Sequence, residues 1–247
     1  MKYLELDSKI QDRNFFLKLL KESDVSSSFH IASFVNPFSY IELLKSPDLI
    51  DSVDCFFTDG ALLRLFHNRF YPCRKVERLS FDFSSIANDV FEWCQYNNKK
   101  VALIGAEPPE IVEAVKNILK LYPDLNIVYS HDGYVNKKDV YEEVQQNIID
   151  SRAEILICGM GTPLQEDFLL KFKSIESNLQ LGFTCGGFFT QTSIKPDYYH
   201  PLIKKVGLRW LQRMAMHSHV RKRVFIDYPK FLFFYFKTHS SFKSKSN

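Results

Sequence analysis

Four apolar segments of the chain are each followed by glycine and then by helical spacing: VDCFFTDGALLRLF, KKVALIGAEPPEIVEAVKNIL, AEILICGMGTPLQEDFLLKF and LQLGFTCGGFF. This order is typical of strands that alternate with helices. NIVYSHDGY predicts another short strand, and Phe38 to Leu44 predicts a helix. VYEEVQQNIIDS predicts an amphipathic helix with Val140, Val144 and Ile148 on one face. The pattern predicts an α/β fold, with a mostly parallel Rossmann-like sheet covered by helices on both faces.

Ligands of such sheets bind at the carboxyl ends of the strands, where loops and helix N-termini converge. The residues that follow the predicted strands at this edge are Asp59, Gly105, Gly159, Gly161 and Gly186. A carboxylate at Asp59 would therefore face the crevice. Both features also have a purely structural interpretation. Asp59 could be a helix N-cap, and Gly159 and Gly161 could form a tight turn with Thr162 as the N-cap.

Composition places the chain among globular proteins, because 45% of its 247 residues are apolar. Five scattered cysteines form no C-x-x-C pair, which suggests neither a disulfide framework nor a zinc site and favours a reducing cytoplasm. The first residues, MKYLELDSKIQDRNFFLKLL, carry too many charges for a secretory signal. No apolar run approaches the roughly 20 residues of a membrane span.

Charge divides the chain into two unequal parts. Residues 1–194 carry 20 Lys and Arg against 27 Asp and Glu, whereas residues 195–247 carry 12 against 2 and are rich in aromatic residues. Cations mixed with aromatic rings are typical of an anionic membrane surface, although a solvated helix packed on the body would look the same. We predict a catalytic domain over 1–194, a basic helical C-terminal appendage that associates with membrane over 195–238, and a disordered tail over 239–247.

The glycine-rich stretch GMGTPLQED matches neither a dinucleotide fingerprint nor a P-loop, so neither NAD nor ATP chemistry is indicated. No two aspartates are separated by one residue, so a D-x-D clamp for a metal ion is absent. A bound diphosphate would instead need backbone N–H groups and basic side chains. Arg209, Arg213, His217 and Arg221, spaced by four, offer such cations. His131 fits a turn histidine better than a catalytic one.

Several motifs occur in a characteristic order: TDG at 58–60, ERLSFD at 77–82, YPDLNIV followed by HDGY, AEILICGMGTPLQE, CGGFF and GLRWLQR. Over roughly residues 30–225 this set resembles the WecG/TagA/CpsF family of bacterial glycosyltransferases. The resemblance implies metal-independent, inverting transfer of a sugar from a UDP-sugar donor, often of the N-acetylmannosamine type or a related hexose. The implied acceptor is a lipid-diphosphate-linked saccharide at the inner face of the bacterial membrane, in cell-surface polysaccharide synthesis.

The resemblance also implies roles for individual residues. Asp59 matches the proposed general base, and the implied substrate-binding residues are Asn36, Arg78, Gln165, Glu166, Arg213 and Arg223. Amides near Gly105, Gly159, Gly161 and Gly186 could stabilise the leaving diphosphate. The chain departs from the family pattern at Phe34, at Leu164 and at Thr190, which stands in place of an aspartate.

Two other hypotheses remain open. A nonenzymatic nucleotide-binding or RNA-binding module would explain the basic arm but not Asp59. An inactive family member that assists glycan assembly would fit the departures. On the enzyme hypothesis we expect no cofactor or metal, no nucleic acid partner, and a peripheral location on the cytoplasmic face of the membrane. Homo-oligomerisation is left open.

Overall fold

The computed structural model describes residues 2–23, 28–135, 137–195, 221 and 223–243. Within these ranges six strands form one sheet: β1 (His30–Val35), β2 (Cys55–Thr58), β3 (Val101–Gly105), β4 (Ile127–His131), β5 (Ile155–Gly159) and β6 (Leu181–Thr184). Their order is β2-β1-β6-β5-β3-β4, and every pairing is parallel. The predicted α/β fold with a parallel, Rossmann-like sheet is confirmed.

Helices pack on both faces of this sheet, as the sequence predicts. In the described ranges they are α1 (Lys2–Ser8), α2 (Arg13–Glu22), α3 (Pro37–Leu44), α4 (Pro47–Ser52), α5 (Ala61–Phe70), α6 (Ala87–Tyr96), α7 (Pro108–Leu121), α8 (Lys138–Asp150), α9 (Leu164–Leu170), α10 (Phe188–Ile194) and α11 (Tyr228–Lys243). Successive residues of β3 alternate between two cores: Leu103 packs in one with Phe91, while Ala102 and Ile104 pack in the other with Tyr40. This alternation is the two-residue period of a strand whose two faces are both buried.

Strand β1 lies between β2 and β6, although the sequence pattern predicts no strand there. The segment HIASFV is short and interrupted by a serine. Ser33 is nevertheless fully buried, and its hydroxyl donates a hydrogen bond of 2.7 Å to Glu166. A satisfied hydroxyl can be buried at little cost, so this strand tolerates a polar residue that weakens its sequence signal.

Helix α11 docks on the body through one face. Phe231 and Tyr235, one turn apart, are fully buried. One turn further on, His239 Nε2 lies 2.6 Å from Asp7 Oδ2, and both of these residues are buried. The hydroxyl of Tyr40 donates to the other oxygen of Asp7 at 3.1 Å. Helix α11 is thus joined to α1 by a buried hydrogen bond between His239 and Asp7.

This docking corrects one boundary from the sequence analysis. We assigned residues 239–247 to a disordered tail, but α11 continues to Lys243 and His239 is only 3% exposed. The serine-rich composition suggested disorder because it gives no sign of Asp7, the buried partner of His239 that orders this segment. Residues 244–247 lie outside the described ranges. The division into a domain over 1–194 and an appendage over 195–238 stays a prediction.

Two further findings bear on the expected location. All five cysteines are free, and four of them are buried. None of the helices in the part of the chain that the structure describes is long and apolar enough to cross a membrane.

Candidate active site

A cleft of about 660 Å³ runs along the carboxyl edge of the sheet. Residues after every strand line it: Asn36 after β1, Asp59 after β2, Ala106 after β3, Gly133 after β4, Gly161 after β5 and Gly186 after β6. Parallel strands bring their carboxyl ends to one edge, which explains why residues so far apart in sequence meet here.

Asp59 occupies the β2 end of the cleft. Its backbone N–H donates to the carbonyl of Val35 at 2.8 Å, and this hydrogen bond extends the pairing of β2 with β1. The residue at the N-cap of α5 is Gly60, with a φ of 122°, and α5 has no side-chain cap. The N-cap interpretation of Asp59 is therefore wrong. The Asp59 side chain is 25% exposed, so the carboxylate remains accessible to a ligand.

Arg78 holds a position beside Asp59. Its Nη2 atom lies 3.6 Å from Asp59 Oδ1 and 2.7 Å from Asp82 Oδ2. Asp82 also accepts hydrogen bonds from the Ser80 hydroxyl at 2.6 Å and from the backbone N–H of Ser84 at 2.8 Å. Burial raises the pKa of Asp82, but the Arg78 charge and these hydrogen bonds outweigh burial, so the pKa is lowered overall. Asp82 is thus an ionised anchor for Arg78.

Sequence reasoning selected Arg78 from ERLSFD but missed Asp82. The available signal was an arginine four residues before an aspartate that is itself followed by two serines, at positions 84 and 85. Such a signal is weak without the loop conformation that folds Asp82 back onto Arg78 and Ser80.

The glycines of the strand ends fall into two groups. A Cβ atom on Gly105 would lie 2.4 Å from the carbonyl oxygen of Gly159, and one on Gly159 would lie 2.7 Å from that of Gly186. These two glycines allow neighbouring strand ends to pack closely, and Ala106 rather than Gly105 lines the cleft. Gly161 and Gly186 have φ values of +77° and +54°, with open space beside their Cα atoms. Their backbone lines the cleft, where a ligand can approach closely.

Gln165 and Glu166 have different positions despite being adjacent. Gln165 lines the cleft, and its Oε1 atom accepts the backbone N–H of Gly186 at 3.1 Å. Glu166 is fully buried behind the cleft wall. Its Oε1 atom accepts hydrogen bonds from Ser33 at 2.7 Å, from Thr162 at 3.0 Å and from Gln165 at 3.2 Å. The substrate-binding interpretation of Glu166 is not supported by this burial; Glu166 orients two cleft residues instead.

Thr162 is not the N-cap that the alternative interpretation required. The cap position of α9 is occupied by Pro163, and the Thr162 hydroxyl donates to Glu166. This glycine-rich turn is therefore held by a buried carboxyl group rather than by a standard cap.

Burial raises the pKa of the Glu166 carboxyl, and its hydrogen bonds offset only part of this effect. A carboxyl group whose pKa is higher in the folded state contributes stability below its unfolded pKa. That contribution is lost as the pH rises through the folded pKa. We expect Glu166→Gln, measured by urea unfolding, to gain stability relative to wild type as the pH rises from 5 to 8.

The matched control for this prediction is Glu142→Gln, because Glu142 is an exposed carboxylate that pairs with Lys138 at 3.6 Å. The difference in free energy of unfolding between Glu142→Gln and wild type should change little over the same pH range. A Glu166→Gln variant whose free energy of unfolding keeps a constant difference from wild type over this range would show that folding does not raise the pKa of Glu166.

The remaining predicted residues are placed as follows. Asn36 lines the cleft, but its side-chain oxygen caps α3 by accepting the N–H groups of Phe38 and Ser39. His131 Nδ1 lies 3.0 Å from the carbonyl of the next residue, as a turn histidine should. Arg213 lies outside the described residues. Arg223 begins a π-helical turn that ends at Asp227, and its side chain is not described.

The described residues contain no group of three or more His, Cys, Asp or Glu side chains arranged to hold a metal ion. Metal independence stays a prediction, since catalytic metal ions can also be held through a bound diphosphate.

Fold and site together define a Rossmann-like α/β protein with an acid-bearing ligand cleft at the carboxyl edge of its sheet. The model of the glycosyl transferase WecG/TagA/CpsF family matches residues 8–245. The chain therefore belongs to this family and is a glycosyltransferase. This finding favours the enzyme over a nonenzymatic RNA-binding module.

Curated relatives point in the same direction. The chain is 44% identical over 227 residues to a UDP-Gal:alpha-D-GlcNAc-diphosphoundecaprenol beta-1,4-galactosyltransferase of Shigella boydii, covering 92% of this chain and 93% of that protein. It is 30% identical over 125 residues to an N-acetylglucosaminyldiphosphoundecaprenol N-acetyl-beta-D-mannosaminyltransferase of Staphylococcus aureus strain MW2, covering 49% of this chain and 46% of that protein.

Proposed function

We propose that this enzyme transfers galactose from UDP-galactose to N-acetylglucosamine linked through diphosphate to a polyprenol lipid, forming a β-1,4 bond. The observation that carries the proposal is the 44% identity with the Shigella galactosyltransferase over nearly the whole of both chains. The N-acetylmannosaminyltransferase match is weaker and covers only half of the chain. Galactose is therefore preferred over an N-acetylmannosamine donor.

In the proposed mechanism, Asp59 acts as the general base. The acceptor hydroxyl attacks the anomeric carbon from the side opposite to the diphosphate, and Asp59 takes the hydroxyl proton as the new C–O bond forms. The bond between the anomeric carbon and the diphosphate oxygen breaks, and UDP leaves with the electron pair. Because attack and departure occur on opposite faces, an α-linked donor yields a β-linked product.

The groups beside the base and beside the expected position of the leaving diphosphate support this assignment. The Arg78 guanidinium lies 3.6 Å from Asp59 and provides a fixed positive charge that orients the base. The glycine-rich turn at Gly161 lines the middle of the cleft, where its N–H groups could receive the leaving diphosphate without a metal ion. The nearby Gly186 N–H already donates to Gln165. The basic residues between 196 and 222, Arg213 among them, are further candidates for this role.

A donor assay tests the proposal. Purified enzyme is mixed with a synthetic GlcNAc-diphosphate-lipid and with UDP-Gal, UDP-Glc, UDP-GlcNAc or UDP-ManNAc, with and without EDTA. We expect UDP release to be fastest with UDP-Gal and unchanged by EDTA, and the product to show a β-anomeric proton by NMR. Preference for UDP-ManNAc would refute the galactose assignment, and loss of activity in EDTA would refute metal independence.

We also propose that the enzyme binds an anionic membrane surface through the outer face of α11. Phe233 and Phe236 on this face are 71% and 61% exposed, and the Lys237 ammonium lies 5.8 Å from the centre of the Phe233 ring. Exposed aromatic rings beside cations favour the interface of an anionic bilayer. The acceptor substrate is a lipid, so it would itself be held at this membrane surface.

Substitution of both rings tests the membrane proposal. We expect Phe233→Ser/Phe236→Ser to bind phosphatidylglycerol vesicles about tenfold more weakly at high salt, where the aromatic contribution dominates. Cosedimentation measures the effect, and Tyr96→Ser, which removes a 91% exposed ring at the end of α6, is the control. Deletion of α11 is unsuitable because it would also remove Tyr235 and His239 from the core. Equal binding by the double variant and wild type would contradict the proposal.

A further inference from the structure

The cleft contains a second carboxylate that the proposed mechanism does not use. Glu110, in the first turn of α7, lines the cleft together with Thr190 of α10. The Thr190 hydroxyl donates to Glu110 Oε2 at 2.7 Å, and the backbone N–H of Glu107 donates to the same oxygen at 3.2 Å. Among the described residues, no hydrogen bond reaches the other oxygen, Oε1. Glu110 is thus held by one oxygen and retains an acceptor for a ligand.

The sheet order separates the strands that precede Asp59 and Glu110. Asp59 follows β2 and Glu110 follows β3, and these strands are separated by four strand spacings, or about 19 Å along the sheet edge. A nucleotide sugar is a linear molecule in which the diphosphate separates the reacting sugar from the nucleoside. With the anomeric carbon at Asp59 and the diphosphate at the glycine turns, the nucleoside reaches the β3 end.

Charge also selects which part of the donor can lie beside Glu110. A carboxylate repels the diphosphate but accepts hydrogen bonds from hydroxyl groups, and acidic side chains bind ribose hydroxyls in other Rossmann-like sites. Tyr134 lines the same end with 59% of its surface exposed and offers an aromatic face to a base. A hydroxyl acceptor beside an exposed ring fits a nucleoside better than a phosphate.

We propose that Glu110 binds the ribose hydroxyls of the donor nucleotide and that Thr190 is the positioning residue that orients its carboxylate. This assignment rests on the proposed UDP-sugar donor. It gives the cleft a direction: the base Asp59 lies at the sugar end, the glycine turns of β5 and β6 lie at the diphosphate, and Glu110 lies at the nucleoside end.

Calorimetric titration with UDP, 2′-deoxy-UDP and 3′-deoxy-UDP tests the assignment on the full-length chain. We expect wild type to bind UDP about 10- to 100-fold more tightly than at least one deoxy analogue, the effect of losing one hydrogen bond to a charged group. In Glu110→Ala the ratio of the affinity for UDP to that for the deoxy analogue should fall close to one. In Glu110→Gln this ratio should take an intermediate value, because a neutral amide oxygen is a weaker acceptor.

Two further variants separate positioning from folding. Thr190→Val should reduce the preference for UDP, whereas Thr190→Ser, which keeps the hydroxyl, should restore it. Glu113→Gln is the control, because the Glu113 side chain on α7 is 44% exposed and pairs with Lys116 at 3.3 Å. Its preference for UDP should equal that of wild type.

The outcomes distinguish this inference from the proposed function. If UDP binds and Glu110→Ala keeps the wild-type preference over both deoxy analogues, the inference is overturned while the UDP-sugar donor stands. If wild type binds no UDP, both are overturned.

Discussion

Replacement of Asp59 by asparagine should lower kcat by about 10² to 10⁴, the typical contribution of a general base. The amide has nearly the same shape as the carboxylate but cannot take the proton of the acceptor hydroxyl. Arg78 would keep its 2.7 Å contact with Asp82, so the loop between α5 and α6 should retain its conformation. We therefore expect UDP affinity and the free energy of unfolding to stay close to those of wild type. Steady-state kinetics, calorimetry and urea unfolding measure the three quantities.

The matched control for this prediction is Asp132→Asn. Asp132 also follows a strand at the carboxyl edge, its side chain is 20% exposed, and its Oδ1 accepts the backbone N–H of Tyr134 at 2.8 Å. An asparagine keeps that acceptor, so this variant should remain active. Full activity of Asp59→Asn would show that Asp59 is not the base. Unfolding of that variant would instead make Asp59 a structural residue.

Replacement of Tyr235 by alanine should destabilise the protein by about 3–5 kcal/mol, the usual cost of deleting a large aromatic side chain from a core. Tyr235 is fully buried, and its ring stacks on His239 with centroids 3.8 Å apart and an interplanar angle of 8°. Its hydroxyl also lies 3.4 Å from Asp7 Oδ1. The substitution would leave a cavity against the buried hydrogen bond between Asp7 and His239. Urea unfolding at neutral pH measures the loss.

The next residue along α11 provides the control. Phe236 is similar in size but 61% exposed, so Phe236→Ala should change the free energy of unfolding by less than about 1 kcal/mol. Equal losses from the two substitutions would show that α11 is not docked by the face described above. A large loss from Tyr235→Ala alone would show that the C-terminal helix is part of the folded core.

The local pattern of the chain was sufficient for the fold class and for the edge at which the cleft lies. Runs such as VALIG and ILICG are apolar throughout because parallel strands are buried on both faces, and the final glycine of each run ends the strand. Asp59 could be selected for the same reason: a carboxylate directly after a buried strand lies at the edge where ligands bind. These inferences depend only on neighbours in the sequence.

The order of the strands and the partners of the polar residues depend on contacts between distant segments. Strand β1 carries Ser33, whose burial is acceptable only because Glu166, 133 residues away, accepts its hydrogen bond. Similarly, no local signal relates Thr190 to Glu110, which lies on a different helix 80 residues earlier.

The C-terminal helix shows most clearly what composition reveals and what only tertiary contacts decide. Composition alone identified residues 195–247 as basic and aromatic, but it could not separate the rings that enter the core from those that face solvent. The structure separates them because His239 and Asp7, 232 residues apart, meet as a buried pair and fix the rotation of α11 about its axis. That rotation buries Tyr235 and exposes Phe233. Sequence thus determined which side chains were available, and tertiary packing decided their environment, because a buried polar group is stable only where its hydrogen-bond partner is also buried.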